Sequence, residues 1–186
     1  MPHWWHIRSR SLAMCVLVQY ASLALRAWIN LGRGQYTIRV SVGWVRGEIG
    51  RMNEAAKIYH RGVADWLRGD PDRAMSAFCE AIRLNPAHTP ALCDRGTLFC
   101  DRQEYGLAVA DFCAAIRLDP LYARAYNNRG FAYKQLGDLQ HAVADYSEAI
   151  RLQPEYTEAY HNRSIAYAEM KQLDKARADL ARFNAL

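Results

Sequence analysis

The sequence predicts an all-α protein, an α-solenoid of stacked antiparallel helix pairs, and three observations predict it. A six-residue motif that ends in proline recurs, with its prolines at positions 86, 120 and 154, so that a period of 34 residues occurs twice. Within each period the apolar residues follow helical spacing, and small residues recur at two fixed places. A fixed period in this range is typical of repeats that stack on one another.

The third period shows the pattern of one unit most clearly. A first stripe of residues, from Tyr126 to Tyr133, follows the i, i+3, i+4, i+7 spacing of one helix face. A Gly-Asp pair then predicts a turn, and a second stripe from Ala142 to Ala149 has helical spacing again. Pro154 ends the second helix, because proline has no N–H to donate and clashes with the preceding turn.

Counting back from each proline divides the rest of the chain into units of two short helices. Neither helix of a unit can bury its apolar stripe alone, so the units must stack. The predicted units are 55–88, 89–122, 123–156 and 157–186, and the last stops four residues short of a full period.

Small residues at two places of each unit predict a close approach of its two helices. Glycine inside a helix costs about 1 kcal/mol relative to alanine, so its recurrence needs a packing reason. The eighth place holds Gly62, Gly96, Gly130 and Ser164, and the twentieth holds Ala74, Ala108, Ala142 and Ala176.

Spacing, small residues, aromatic residues and terminal proline together resemble the tetratricopeptide repeat (TPR) family. The resemblance covers 132 of the 186 residues, and the wording of 126–130 (YNNRG) and 144–146 (ADY) is similar to a bacterial subtype. The chain departs from the pattern where 103–104 (QE) and 171–172 (KQ) replace the Gly-Asp turn. Phe183 also stands where the family has a small residue.

An arginine at the seventh place and an aspartate at the twenty-third place predict ion pairs within the units. Because these places fall on the two helices of one hairpin, a bidentate pair would orient the helices. The predicted pairs are Arg95–Asp111, Arg129–Asp145 and Arg163–Asp179, while Arg61, which faces Ala77, is expected to find another partner. The alternative interpretation is a row of phosphate-binding arginines.

The resemblance implies that the first helix of each unit lines a concave groove that binds a partner protein or peptide. It places in this groove Tyr59, Val63, Trp66, Cys93, Thr97, Arg124, Asn127, Asn128, Phe131, Lys134, His161 and Ile165, together with Leu67, Cys100, Asp101, Gln135, Glu158 and Glu169. An alternative is that Tyr59 and Trp66 are covered by residues 1–54 and serve only as core. The chain lacks the lysine and asparagine with which some family members clamp a chaperone's C-terminal carboxylate, so we reject that clamp.

No pattern in the sequence predicts chemistry. The histidines lack ligand spacing, no serine lies in a nucleophile motif, and no glycine-rich loop is built to cradle a phosphate. We therefore expect no enzyme activity, no catalytic residue, no metal, no cofactor and no small-molecule substrate. The five cysteines, an odd number without a C-x-x-C pair, are interpreted as small buried hydrophobes in a reducing compartment.

Residues 1–54 differ from the rest of the chain, and we treat them as a separate segment. They hold seven arginines and two acids, a balance of +5, and four of the five tryptophans, whereas residues 55–186 hold 17 basic and 17 acidic side chains. The run Leu12–Leu25, within residues 11–31, has the outline of a signal peptide or anchor but is shorter than the roughly 20 residues that span a bilayer. Alternation over 35–46 predicts a short strand.

Three interpretations of this segment stay open: an exported or anchored leader, a helix that caps the first repeat, and an upstream stretch that is not translated. In the last case Met52, followed by Asn53 as a helix cap, would be the natural start. We expect a cytoplasmic protein, or a membrane-anchored or exported one if residues 1–31 are a genuine leader.

The function that these patterns predict is a scaffold that binds a protein or peptide in its groove. The alternatives are a structural part of a larger repeat assembly, a membrane-anchored or exported assembly factor, and, least favoured by the neutral repeats, nucleic-acid binding by the basic segment. We also expect the last repeat to leave apolar side chains open and to form a weak homodimer, with Phe183 as either a makeshift cap or part of that patch. The residues concerned are Leu173, Leu180, Phe183 and Leu186.

Overall fold

The computed structural model describes the backbone of residues 37–186 and the side chains of residues 47–186. It divides the chain after Gly50, and the unit described below is Arg51–Leu186. Every regular element in the described part is a helix. The helices are α1 (Thr37–Leu67), α2 (Pro71–Leu84), α3 (Thr89–Asp101), α4 (Tyr105–Leu118), α5 (Ala123–Gln135), α6 (Leu139–Leu152), α7 (Thr157–Glu169) and α8 (Leu173–Ala185).

The helices pair and stack in chain order, which confirms the predicted α-solenoid. From α2 onward each helix packs against the next, and the first helices α3, α5 and α7 also contact one another along the stack. The second helices end at Leu84, Leu118 and Leu152, two residues before the recurrent prolines. The ends follow from the missing proline N–H and from the extended backbone that proline imposes on the residue before it.

The turn between the two helices of a unit keeps one geometry although its sequence changes. In unit three Gly137 has φ +82°, and Asp138 caps α6 by accepting a hydrogen bond from the His141 N–H. Gln103 and Lys171 fill the glycine place in units two and four with φ of 62° and 61°. The stacking of the helices therefore imposes a left-handed conformation even on side chains that disfavour it.

The helices of each hairpin meet at the glycine of the eighth place. A Cβ built on Gly96 would lie 2.7 Å from the Phe112 ring, and one on Gly130 would lie 2.8 Å from the Tyr146 ring. Phe78, Phe112 and Tyr146, all at the twenty-fourth place, are fully buried. The predicted packing role of the small residues is thus confirmed, because an aromatic ring occupies the space that a side chain would need.

The three predicted ion pairs are confirmed, and each is bidentate. Nitrogen–oxygen distances are 2.7 Å twice for Arg95–Asp111, 2.8 and 2.7 Å for Arg129–Asp145, and 2.7 and 2.8 Å for Arg163–Asp179. The aspartates are buried. Arg61 is exposed and forms no ion pair with any residue that the structure describes.

Each of these arginines also reaches back to the preceding unit, which the sequence analysis did not anticipate. The remaining guanidinium nitrogen donates to the side chain at the twenty-fifth place of that unit, namely to Cys79 Sγ at 3.6 Å, Cys113 Sγ at 3.2 Å or Ser147 Oγ at 2.9 Å. The interpretation of the cysteines as buried hydrophobes is wrong for Cys79, which is exposed, and for Cys113, which is only half-buried, whereas Cys93 is buried as expected. The side chains that meet an arginine of the next unit therefore lie at the border of the buried core and not inside it.

The strand predicted over 35–46 is wrong, because residues from Thr37 onward are helical. Asn53 lies inside α1 of the full chain, and its role as a helix cap in a chain that begins at Met52 stays a prediction. Positions 38, 42, 45 and 49 are apolar and follow i, i+4, i+7, i+11, so the same residues fit a helix, and short apolar runs do not separate the two periods. The run Leu12–Leu25 lies outside the described residues. Across the part of the chain that is described, we find no helix with the length and apolar character needed to cross a bilayer.

Candidate partner-binding groove

An open cavity of about 430 Å³ lies along the first helices of units two, three and four. Side chains from α3, α5 and α7 line it, which are the three helices that contact one another along the stack. Eight of its lining residues are ones that the resemblance placed in the groove: Thr97, Cys100, Asp101, Asn127, Asn128, Phe131, Glu158 and His161.

A chain of hydrogen-bonded amides crosses the floor of the cavity from α7 to α3. The Asn162 amide donates to Asn127 Oδ1 at 3.1 Å, and the Asn127 amide donates to Asn128 Oδ1 at 3.2 Å. The Asn128 amide donates to Thr97 Oγ1 at 3.2 Å, and that hydroxyl donates to the Cys93 carbonyl at 3.0 Å. The Asn128 amide also contacts Cys93 Sγ at 4.0 Å, whereas Asn162, which is only partly buried, has a second N–H for a molecule in the cavity.

Aromatic side chains form the apolar wall of the cavity. Phe131 lies on α5 with the Lys134 ammonium 5.7 Å from its ring centre. Phe183 comes from α8 and stacks on His161, with 5.0 Å between ring centres. Phe183 is therefore half-buried against α7 and lines the groove. Its place in the repeat put it on a second helix, so the family pattern gave no reason to expect it here.

A buried carboxylate joins the first helices of units one, two and three. Asp94 on α3 accepts a hydrogen bond from the Tyr59 hydroxyl at 2.7 Å and pairs with the Arg124 guanidinium at 2.6 Å. Arg124 also donates to the Tyr122 hydroxyl at 3.0 Å. Burial, and then the hydrogen bond to Asp94, raise the pKa of Tyr59, so the phenol stays protonated and donates. Burial likewise raises the pKa of Tyr122 to about 12.

Several residues placed in the groove by the resemblance lie in or against the core. Cys93 is fully buried beside Phe112, and burial raises the pKa of its thiol to about 11, so a partner cannot reach it. Tyr59, Val63 and Trp66 pack against the buried cluster of the first hairpin. These bulky side chains of unit one are therefore used for packing on Phe78 and on Leu98 of unit two. Six other residues expected in the groove lie outside the lining of the cavity. Arg124, Lys134 and Ile165 are partly buried, and Leu67, Gln135 and Glu169 are exposed.

Sequence reasoning missed Asp94, Phe112, Asn162 and Phe183 as parts of the site or its support. A signal for two of them exists in the spacing. Contacting residues on neighbouring first helices are 35 apart in Tyr59–Asp94 and Asn127–Asn162, one more than the 34-residue period. Pairing residues at this spacing would have found both contacts. Longer side chains also reach across at other spacings, 31 in Thr97–Asn128 and 30 in Asp94–Arg124.

The arrangement can hold a polypeptide by hydrogen bonds and apolar contact. Among the described residues, no group of three His, Cys, Asp or Glu side chains is placed to bind a metal ion. The lining of the cavity combines side-chain amides, aromatic rings, the carboxylates of Asp101 and Glu158, the Thr97 hydroxyl, the Cys100 thiol and the His161 imidazole.

Family models described as tetratricopeptide repeat or TPR repeat match four stretches of the chain, residues 59–88, 96–137, 123–156 and 146–178. No curated protein sequence matches the chain.

Solved structures share the fold. MamA 41-end from Desulfovibrio magneticus RS-1 is 24% identical over 90% of this chain and 93% of that chain, with a TM-score of 0.66. The Arabidopsis OM64 TPR domain is 26% identical over 62% of this chain and 96% of that chain, with a TM-score of 0.60. The first TPR of Spaghetti (RPAP3), bound to an HSP90 peptide, is 23% identical over 69% of this chain and 94% of that chain, with a TM-score of 0.57. With its period, turns, helix pairs and family matches, the chain belongs to the tetratricopeptide repeat family.

Proposed function

We propose that the groove formed by α3, α5 and α7 binds an extended segment of a partner protein, and that the chain acts by binding and not by catalysis. Repeats of this family make the chain an interaction scaffold in general terms. The observation that carries the proposal is the amide chain Thr97–Asn128–Asn127–Asn162, which runs along an open cavity with aromatic walls.

The chemistry of the cavity suits a polypeptide in an extended conformation. An extended segment exposes one N–H and one C=O per residue, and these groups need partners when they leave water. Side-chain amides supply both donors and acceptors. Phe131 and Phe183 offer a contact for an apolar side chain, and aromatic anchors of this kind usually dominate binding energy. Binding of this type needs no change in the helices themselves.

The first TPR of Spaghetti is described as bound to an HSP90 peptide with the sequence SRMEEVD. The groove of this chain differs from one that binds an acidic C-terminus. Cys93 is buried and Thr97 holds Asn128, at places where a chaperone clamp needs asparagine or lysine, so we do not propose a chaperone partner.

The test is peptide selection on the full 186-residue chain. A random peptide library displayed on phage is selected on the immobilised chain, and the dissociation constants of selected peptides are measured by fluorescence anisotropy. Phe131→Ala should weaken binding about tenfold, since it removes an aromatic wall. Leu121→Ala, in the exposed loop after α4, is the matched control and should leave the affinity unchanged. Selected peptides that bind both variants equally would reject the groove as the site.

We also propose that the chain self-associates weakly through α8. Leu173, Leu180 and Leu186 are 55%, 45% and 48% exposed on or just after this helix. Apolar side chains in one short element favour contact with another apolar surface. This proposal differs from the sequence-based one in leaving out Phe183, which faces the groove.

A further inference from the structure

Asp101 is a carboxylate in an electrostatically unfavourable position. It is the last residue of α3, where the helix dipole already places partial negative charge, and it lines the cavity. It forms no ion pair with any residue in the described part of the chain. Burial raises the pKa of its carboxyl group, so part of its hydration is already lost. A cation brought by a ligand would offset both effects.

Glu158 adds a second negative charge on the same cavity. It lies in the first turn of α7, where the helix dipole favours an acid, and it is exposed. Burial, and then the charge of Glu158, raise the pKa of Tyr156 to about 12. Glu158 too has no ion pair among the described side chains.

The cations near the cavity do not neutralise these acids. Arg124 is paired with the buried Asp94, so its charge is already balanced. Lys134 lies over the Phe131 ring and forms no ion pair with a described residue. Among the residues that line the cavity, two are carboxylates, none is lysine or arginine, and one is the imidazole of His161. With histidine counted as neutral, the lining is negatively charged, although the repeats as a whole are neutral.

We infer that the partner segment is basic: it places a lysine or arginine against Asp101 and Glu158 while an adjacent apolar side chain packs on Phe131 and Phe183. This inference rests on the proposed function and specifies the chemical class of the ligand. The inferred partner segment has the opposite charge to the acidic peptide that is bound by the first TPR of Spaghetti.

The test uses the peptides selected on the full chain. Lysine and arginine should be enriched about threefold over the input library, and aspartate and glutamate should be depleted, because opposite charges attract and like charges repel at such a site. Binding of a selected peptide should weaken about fivefold in Asp101→Asn and in Glu158→Gln, as expected for loss of a partly exposed ion pair. The same affinity should fall as salt is raised.

Asp174→Asn is the matched control, because Asp174 is fully exposed on α8 and away from the cavity. It should bind selected peptides as the original chain does, and circular dichroism should show unchanged helix content in all three variants. Asp101 and Glu158 are exposed, so their substitution leaves the core intact.

The outcomes separate the two proposals. Selected peptides enriched in acidic residues would contradict the inference of a basic ligand. Affinities that stay unchanged in both Asp101→Asn and Glu158→Gln would contradict it too. Neither result would contradict binding in the groove. If every selected peptide binds the original chain no more tightly than it binds Phe131→Ala, the proposal that the groove is the binding site is wrong. If sedimentation shows a dimer that Asp101→Asn dissociates, the occupant is a second copy of the chain and the inference of a separate basic segment is wrong.

Discussion

The arginine at the seventh place connects more of the molecule than its own hairpin. Arg129 pairs with Asp145 across the hairpin and donates to Cys113 of the preceding unit. Its guanidinium carbon also lies 5.6 Å from the ring centre of Tyr126 and 5.9 Å from that of Tyr133. Stacking on the rings shields the ion pair, and the third contact ties two units together. The residue therefore helps to set the angle between neighbouring units.

Arg129→Met should lower the free energy of unfolding by about 3 kcal/mol, because it leaves the buried Asp145 carboxylate without a cation. Arg61→Met is the matched control and should change it by less than about 0.5 kcal/mol, since Arg61 is exposed. Urea unfolding followed by circular dichroism measures both. A double variant, Arg129→Met with Asp145→Leu, should recover most of the loss, and equal losses for single and double variants would contradict this account.

The glycines offer a second test at this scale. Gly96→Ala should destabilise the fold by about 2 kcal/mol, because the new methyl group would lie 2.7 Å from the buried Phe112 ring. Gly106→Ala, on the exposed side of α4 with nothing within 4 Å, should be neutral or stabilising by up to about 1 kcal/mol. Thermal melts of the two variants give the comparison. Equal melting temperatures would mean that the eighth place tolerates a larger helix separation.

At the scale of the element, the inter-helix turn is determined by the helices that it joins. Units one and three place glycine at the left-handed position, whereas Gln103 and Lys171 adopt almost the same φ in units two and four. Glu104 and Gln172, which precede the next helices, make no side-chain cap. The packing between the helices thus outweighs an unfavourable turn sequence, at a local cost.

Gln103→Gly should stabilise the chain by about 0.5–1 kcal/mol. Relief of the left-handed side-chain clash, about 1–2 kcal/mol, is partly offset by the greater freedom of glycine in the unfolded state. The reciprocal change Gly137→Gln should destabilise by a similar amount. Both are measured as shifts in the denaturation midpoint. A loss of stability in Gln103→Gly would show that the glutamine side chain makes a contact that outweighs the strain.

At the scale of the whole molecule, the repeats form a core that is built unit by unit. The buried clusters lie within hairpins or between neighbours, as around Phe78, Phe112 and Tyr146. Stability in such a stack is approximately the sum of the units and their interfaces.

A chain that begins at Met52 should fold with a cooperative helical melt, because residues 51–54 of α1 are exposed and the described core lies beyond them. The truncation shortens α1 but keeps Tyr59, Val63 and Trp66, which pack on Phe78. Circular dichroism melts of this chain and of the full chain are compared. A broad, non-cooperative melt of the shorter chain would instead favour a role for residues 1–51 in capping the first repeat.

Self-association through α8 should appear as a dimer that forms weakly at high concentration. Leu180→Asp should reduce it, because a charge cannot be buried in an apolar contact without cost. Leu121→Asp, which places the same charge at an exposed leucine in a loop, is the control and should leave it unchanged. Light scattering over a concentration series measures both. A strict monomer for the unaltered chain would contradict the proposal.

The repeat period, the helix pairs, the helix ends and the three ion pairs were all predictable from the sequence. They depend on local rules, such as helical spacing and the geometry of proline. They also depend on the repetition of one unit, because the same pattern can be checked in four units of the chain. The strand predicted over 35–46 shows the limit of this approach, because a short apolar run fits both a strand and a helix.

Which side chains line the groove is determined by how the units stack and not by the sequence of one unit. Whether Cys93 faces a partner or the core, and whether Phe183 caps the stack or enters the groove, is decided by the rotation and displacement of neighbouring helices. The contacts of the amide chain and of Asp94 join places that the period of 34 does not bring together. Their spacings are 35 for Asn127–Asn162 and Tyr59–Asp94, 31 for Thr97–Asn128 and 30 for Asp94–Arg124. A helix pattern specifies which face is apolar, but only packing against the next unit specifies which atoms meet.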